Sequence, residues 1–111
     1  MPTVESPDAI RYTIREDASI REAFAIIDAN LSGAVFVLDP AGRVVGVATD
    51  GDIRRWLLRE HSLDDPISRC MNKSFVSATK LDEREHILKL LDHRVRIIPL
   101  IGDDGHLLNV I

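Results

Sequence analysis

Two stretches of this sequence follow one pattern of apolar residues and turns. The pattern from residue 34 onward recurs 63 residues later, and the helical pattern before it recurs 64 residues later. The matching pairs are Val37 with Leu100, Gly42 with Gly105, Val44-Val45 with Leu107-Leu108, Phe24 with Leu88 and Ile27 with Leu91. One residue is therefore missing from the second helix–strand loop. A repeated unit of this kind predicts two related halves that pack against each other.

Each copy predicts the same order of elements. In the first copy, an extended segment at 10–14 precedes a helix. The helix begins at a capping box formed by Ser19 and Glu22, and it ends at Gly33. Its apolar face comprises Ile20, Ala23, Phe24, Ile27 and Leu31. Strands at 34–38 and 44–48 flank a turn at 39–42. A second helix begins at 49–52, and its apolar face comprises Ile53, Trp56 and Leu57. The second copy predicts an extended segment at 75–78, a helix capped by Asp82 and Glu85, and strands at 97–101 and 107–111.

Composition excludes several classes of protein. The 111 residues fit one domain, and 45% of them are hydrophobic. A net charge of −4 argues against binding to duplex nucleic acid, which requires a basic surface. Cys70 is the single cysteine, so no internal disulfide can form, and neither a membrane span nor a secretory signal is present in the sequence. These features predict a cytoplasmic protein. The four histidines do not have the spacing of zinc ligands with one another or with Cys70, so the sequence predicts no metal site.

The segment Gly46-x-x-Thr49-x-x-Asp52 lies where a strand ends and a helix begins. A helix N-terminus favours a phosphate, a threonine hydroxyl can donate to it, and a carboxylate can accept from a ribose diol. Gly46 would let the backbone approach a ligand closely. The alternative is purely structural, because Thr-x-x-Asp is nearly a capping box.

With these residues in view, the chain resembles the CBS domain family, named from cystathionine β-synthase, over about residues 10–111. The resemblance implies an α/β (α+β) fold in which two repeats related by pseudo-twofold symmetry form one unit. The string 49–55, followed by 62–68 and Met71-Asn72, is similar to the CBS pair of bacterial sugar-phosphate nucleotidyltransferases and to the CBS tail of arabinose-5-phosphate isomerases.

The resemblance also implies a ligand site in the cleft between the repeats, for AMP, ADP, ATP or S-adenosylmethionine. The family's ribose-binding carboxylate falls on Asp52 and its neighbouring threonine on Thr49, with Gly46 completing the motif. The apolar contacts would come from Val47 and Ala48 in the first repeat, and further contacts from Val76, Ser77, Arg96, Ile97 and Ile98. Arg54 and Arg55 are candidate phosphate contacts, although a solvated helix face explains them as well.

The interpretation is a non-catalytic regulatory module with no cofactor of its own. We assign residues 1–8 to a tail, 9–72 to the first repeat and 73–111 to a truncated second repeat, in which Asn109 replaces Gly46. Because the second copy ends before its Thr and Asp positions, we expect a fragment of a larger protein. That protein would carry a C-terminal catalytic domain, with a sugar-phosphate nucleotidyltransferase preferred to a sugar-phosphate isomerase. We expect homodimers, and a structural dimerisation module without a ligand is the alternative function.

Overall fold

The structure is a computed structural model that describes residues 7–60, 62–79, 82, 85, 86, 89 and 97–111, with side-chain surroundings from residue 9 onward. Its helices are α1 (Ile20–Asn30) and α2 (Asp50–Glu60), with short 3₁₀ helices at Pro7–Tyr12 and Ile67–Arg69. Its strands are β1 (Thr13–Arg15), β2 (Ala34–Leu38), β3 (Val44–Thr49), β4 (Pro99–Ile101) and β5 (Leu107–Val110). In this part of the chain, no helix combines the length and apolar character needed to cross a membrane.

The first repeat is a three-stranded sheet covered by two helices. β1 runs parallel to β2, and β2 runs antiparallel to β3, so that Ile14 lies beside Val37 and Ala34 beside Thr49. A parallel pair requires a crossover, which α1 provides. The largest core cluster comprises Ile14, Ile20, Ala23, Ile27, Val35, Val37, Ala48, Ile53, Trp56 and Ile67.

The second repeat has the same strand pairing. Ala78 forms a parallel bridge with Leu100, which is the counterpart of Ile14 beside Val37. The β4–β5 hairpin shifts register after Leu100, as the β2–β3 hairpin does after Val37. The mixed α+β fold and its repetition are therefore confirmed.

Equivalent residues of the two repeats meet at their hairpin turns. Arg43 and His106, which are 63 residues apart, form an isolated antiparallel bridge. The Val44 amide donates to Gly105 O at 3.0 Å, and His106 Nε2 lies 2.6 Å from Ala41 O. Contact between equivalent positions is what a pseudo-twofold axis through this point requires.

Some local predictions are wrong. Residues 10–12 are not extended but belong to the first 3₁₀ helix, which the Thr13 hydroxyl closes by donating to Ile10 O at 2.9 Å. Helix α1 ends at Asn30 rather than Gly33, because Leu31 takes the left-handed conformation with φ of 61°. That turn leaves Leu31 85% exposed, and Phe24 is exposed as well, so neither belongs to the buried face.

The second copy has less strand than predicted: β4 begins at Pro99 rather than residue 97, and β5 ends at Val110 rather than residue 111. Of the extended segment at 75–78, Ala78 alone pairs as a strand residue in the described part of the chain. Most of the helix predicted from Asp82 to Leu91 lies outside the described residues.

Candidate functional site

Thr49 and Asp52 cap the start of α2. The Asp52 amide donates to Thr49 Oγ1 at 3.1 Å, and the Thr49 amide donates to Asp52 Oδ2 at 2.9 Å. These two bonds satisfy backbone donors that a helix N-terminus leaves without partners. The capping alternative is therefore realised in the structure.

The two candidate arginines are held by carboxylates of the same helix. Arg55 Nη2 lies 2.6 Å from Asp52 Oδ1, and Arg54 Nη2 lies 2.8 Å from Asp50 Oδ2. Both guanidinium side chains are largely exposed. Ion pairs of this kind at the surface contribute at most about 1 kcal/mol to stability. A more strongly bound anion could therefore replace Asp50 or Asp52 as the partner of the arginine.

A cleft of about 430 Å³ lies between the first repeat and the chain that enters the second. One side is the end of the first sheet and the start of α2, and the other is the segment after residue 71. The lining residues are Ser32, Gly33, Ala34, Phe36, Val47, Thr49, Asp50, Gly51, Asn72, Ser74, Phe75, Val76 and Ile97. The cleft therefore has contributions from both repeats, as the resemblance implies.

The cleft brings together part of the predicted site. Thr49, Val47, Val76 and Ile97 line it. Among the described residues, the predicted members that do not line it are Gly46, Ala48, Asp52, Ser77, Ile98, Arg54 and Arg55. Arg96 lies outside the described residues.

Packing explains most of these differences. Ala48 and Ile98 are fully buried in the protein interior. In β3, Ala48 points to the opposite face from Val47 and Thr49, which line the cleft. Gly46 faces Met71 rather than the cleft. Asp52 borders a second cavity instead of the cleft.

Sequence reasoning missed two walls of the cleft. The α1–β2 turn supplies Ser32 and Gly33, the start of β2 supplies Ala34, and the segment that connects the repeats supplies Asn72, Ser74 and Phe75. The hairpin register could have identified the first wall, because it places Ala34 directly beside Thr49. The Asp50 amide also donates to Gly33 O at 2.9 Å, which joins this turn to α2.

The cleft is chemically two-sided. Phe36, Val47, Phe75, Val76 and Ile97 provide an apolar surface suited to a flat ring. Thr49, Asp50, Asn72 and Ser74 provide hydroxyl, carboxylate and amide groups. A ligand with an apolar ring and several hydroxyls matches this arrangement.

The second cavity, of about 330 Å³, is lined by Asp52, Arg55, Leu58, Arg59 and Cys70. Burial, and then the charge of Asp52, raise the pKa of the Cys70 thiol. The thiol lies 3.5 Å from Asp52 O and packs against the main core. A thiol that stays protonated is a weak nucleophile, so Cys70 has a packing role here. In the described part of the chain, His, Cys, Asp and Glu side chains form no group of three that could hold a metal ion.

Comparison with known proteins identifies related sequences and folds. The family model of the CBS domain matches residues 5–59. Arabinose 5-phosphate isomerase GutQ of Escherichia coli K12 is 30% identical over 98 residues, which are 85% of this chain and 30% of that protein. The chain thus spans about a third of the length of this curated relative.

Solved structures share the fold. The CBS-domain-containing protein ATU1752 of Agrobacterium tumefaciens is 28% identical, with a TM-score of 0.71 over 89% of this chain and 75% of that one. CBSX2 in complex with AMP is 19% identical, with a TM-score of 0.73 over 89% of this chain and 78% of that one.

Proposed function

Since this chain belongs to the CBS domain family, we propose that it is a regulatory module that binds an adenosine-type metabolite in the cleft. The candidate ligands are AMP, ADP, ATP and S-adenosylmethionine. The observation that carries the proposal is the position of Thr49: it lies at the junction of β3 and α2, in a cleft that also includes Val76 and Ile97. The AMP complex of CBSX2, a structural neighbour, supports the choice of ligand.

The proposed pose follows from the two-sided surface. The purine would lie against Val47, Val76 and Ile97, and the sugar would lie toward Thr49 and Asp50. Asp52 does not line the cleft, and its carboxylate accepts from the Thr49 amide and from Arg55. Its role as the ribose carboxylate therefore requires a local rearrangement on binding.

Regulation would arise from contact with both repeats. A ligand shifts an equilibrium between two arrangements of the repeats by its difference in affinity for them. We propose that this shift controls a catalytic domain attached in the full protein. The GutQ relatives favour a sugar-phosphate isomerase as that domain, and they do not support the nucleotidyltransferase.

We expect AMP, ADP, ATP or S-adenosylmethionine to raise the melting temperature. A ligand at about 100 times its Kd adds roughly 2.7 kcal/mol, which raises the Tm of a domain of this size by on the order of 10 °C. Val76→Glu should abolish the shift, because it places a carboxylate in the cleft. Leu58→Glu is the matched control, since Leu58 is 78% exposed on α2 and does not line the cleft.

A folded wild-type protein that shows no shift with any of the four ligands would favour the structural alternative, a dimerisation module. The mutual capping of Thr49 and Asp52 supports that alternative, because it explains both residues without a ligand. Asp52→Ala tests the carboxylate separately, since alanine has no oxygen that could accept from a ribose hydroxyl. Binding that is unchanged in this variant would exclude Asp52 as the ribose acceptor.

A further inference from the structure

The segment that connects the repeats is attached to the edge of the first sheet. β3 is an edge strand of the three-stranded sheet. On its open side, the Val47 amide donates to Asn72 O at 2.9 Å, and the Asn72 amide donates to Val47 O at 2.7 Å. This bridge fixes the position of the chain that continues through Ser74, Phe75 and Val76 along the cleft.

Gly46 makes this attachment sterically feasible. A Cβ at Gly46 would lie 2.6 Å from Met71 Sδ, 2.8 Å from Met71 Cγ and 3.2 Å from Asn72 O. A Cβ contact below 3.0 Å essentially never occurs, so the flexible Met71 side chain would have to move, and the tight approach to Asn72 O would also crowd the backbone of the bridge. Gly46 is not among the glycines with positive φ, which are Gly33, Gly42 and Gly105 in the described residues. Its requirement is therefore for space and not for an unusual backbone conformation.

The second repeat provides an internal comparison. Asn109 lies beside Leu100 as Gly46 lies beside Val37. Asn109 is exposed, and its Oδ1 accepts from the neighbouring Val110 amide. A side chain is thus accommodated where it faces solvent, whereas the equivalent position in the first repeat faces Met71.

We propose that Gly46 is a positioning residue for the ligand cleft. The space left by its missing side chain accommodates Met71, so that the next residue, Asn72, can pair with β3 and hold the wall formed by Ser74, Phe75 and Val76. This inference rests on the proposed function, because the wall matters for affinity only if the cleft binds a ligand. Gly46 itself does not touch the ligand.

The test is a size exchange between Gly46 and Met71. Gly46→Ala should weaken AMP binding by about fivefold or more, because overpacking displaces the wall. It should also speed amide hydrogen exchange at Val47 and Asn72. Adding Met71→Ala to Gly46→Ala should relieve the crowding. The double variant should therefore have the AMP affinity and the amide exchange rates of the single variant Met71→Ala. Gly102→Ala is the control, since Gly102 lies outside the cleft and should leave both unchanged.

The two readouts separate failures of this inference from failure of the proposed function. A wild-type protein that does not bind AMP counts against the proposed function, and hydrogen exchange still tests the positioning role. Wild-type affinity and exchange in Gly46→Ala would overturn the inference. If Gly46→Ala does not fold, the double variant decides. A folded double variant that protects Val47 and Asn72 supports the inference, and one without protection contradicts it.

Discussion

Asn30 is a buried polar residue, 7% exposed, at the end of α1. Its Nδ2 donates to Arg11 O at 3.2 Å and to Ala34 O at 3.1 Å. Its Oδ1 accepts from the Ser32 amide at 2.9 Å and from the Ser32 hydroxyl at 2.8 Å. One side chain therefore joins the first 3₁₀ helix, the end of α1 and the start of β2, next to the wall of the cleft.

Replacing Asn30 with alanine should lower the free energy of unfolding by about 1–3 kcal/mol, because the backbone of Arg11, Ser32 and Ala34 loses partly buried hydrogen bonds. Asp28→Ala is the control on the same helix, since Asp28 is exposed. Urea denaturation of both variants measures the difference. Equal stabilities of the two variants would contradict the role assigned to Asn30.

At the scale of the element, each of the two hairpin turns has one carboxylate that accepts hydrogen bonds from backbone amides of the turn. Asp39 Oδ1 accepts from the Ala41 and Arg43 amides, both at 2.9 Å. The bond from the Arg43 amide is the main reason why the pKa of Asp39 is lowered. In the second turn, the amide of His106 similarly lowers the pKa of Asp104. The position equivalent to Asp39 is Gly102, so the two carboxylates occupy non-equivalent positions of the repeat.

This arrangement predicts a dependence of stability on pH. A carboxylate with a lowered pKa stabilises the fold at neutral pH, and the contribution is lost as the pH falls from about 4 through the pKa of the folded state. Asp39→Asn should therefore be less stable than the wild type at pH 7 and should approach it in acid, because a protonated Asp and an Asn have similar hydrogen-bonding groups. Unfolding curves at several pH values test this, and a constant difference would refute it.

At the scale of the whole molecule, the repeats meet where Arg43 and His106 pair. A Cβ at Gly105 would lie 3.2 Å from Arg43 Cγ and 3.3 Å from Arg43 Cδ. Gly105 also has φ of 86°, and Gly33 has a similar φ of 83° with nothing within 4 Å of its Cβ position. The two glycines thus share a backbone requirement, and Gly105 carries an additional contact across the repeats.

Alanine at either glycine should cost about 1–2 kcal/mol of stability from the left-handed backbone. Gly105→Ala should cost more than Gly33→Ala, because the methyl group crowds Arg43. The excess should disappear when Arg43→Ala is combined with Gly105→Ala, which a double-mutant cycle measured by thermal unfolding can determine. An excess that persists without the Arg43 side chain would mean that crowding between the repeats is not its cause.

The sequence predicted much of the fold but less of the site. The Ser19–Glu22 cap, the two hairpins and the Thr49–Asp52 junction could be predicted because each depends on residues close together in the sequence, whereas the extended segments at 10–14 and 75–78 were predicted too long. The motif alone could not show that Asp52 lies outside the cleft, because the cleft is bordered by residues far along the chain, such as Phe75 and Ile97. The role of Asp52 in ligand binding stays a prediction.

The amino-acid sequence by itself determined the repeat, the element order and the position of the strand–helix junction at Thr49, because local periodicity and capping encode them. The tertiary structure alone decided which residues border the cleft. That boundary depends on Asn72 pairing with the open edge of β3 and on Arg43 meeting His106 across the molecule. Such contacts join residues far apart in the chain, so only the packed fold specifies them.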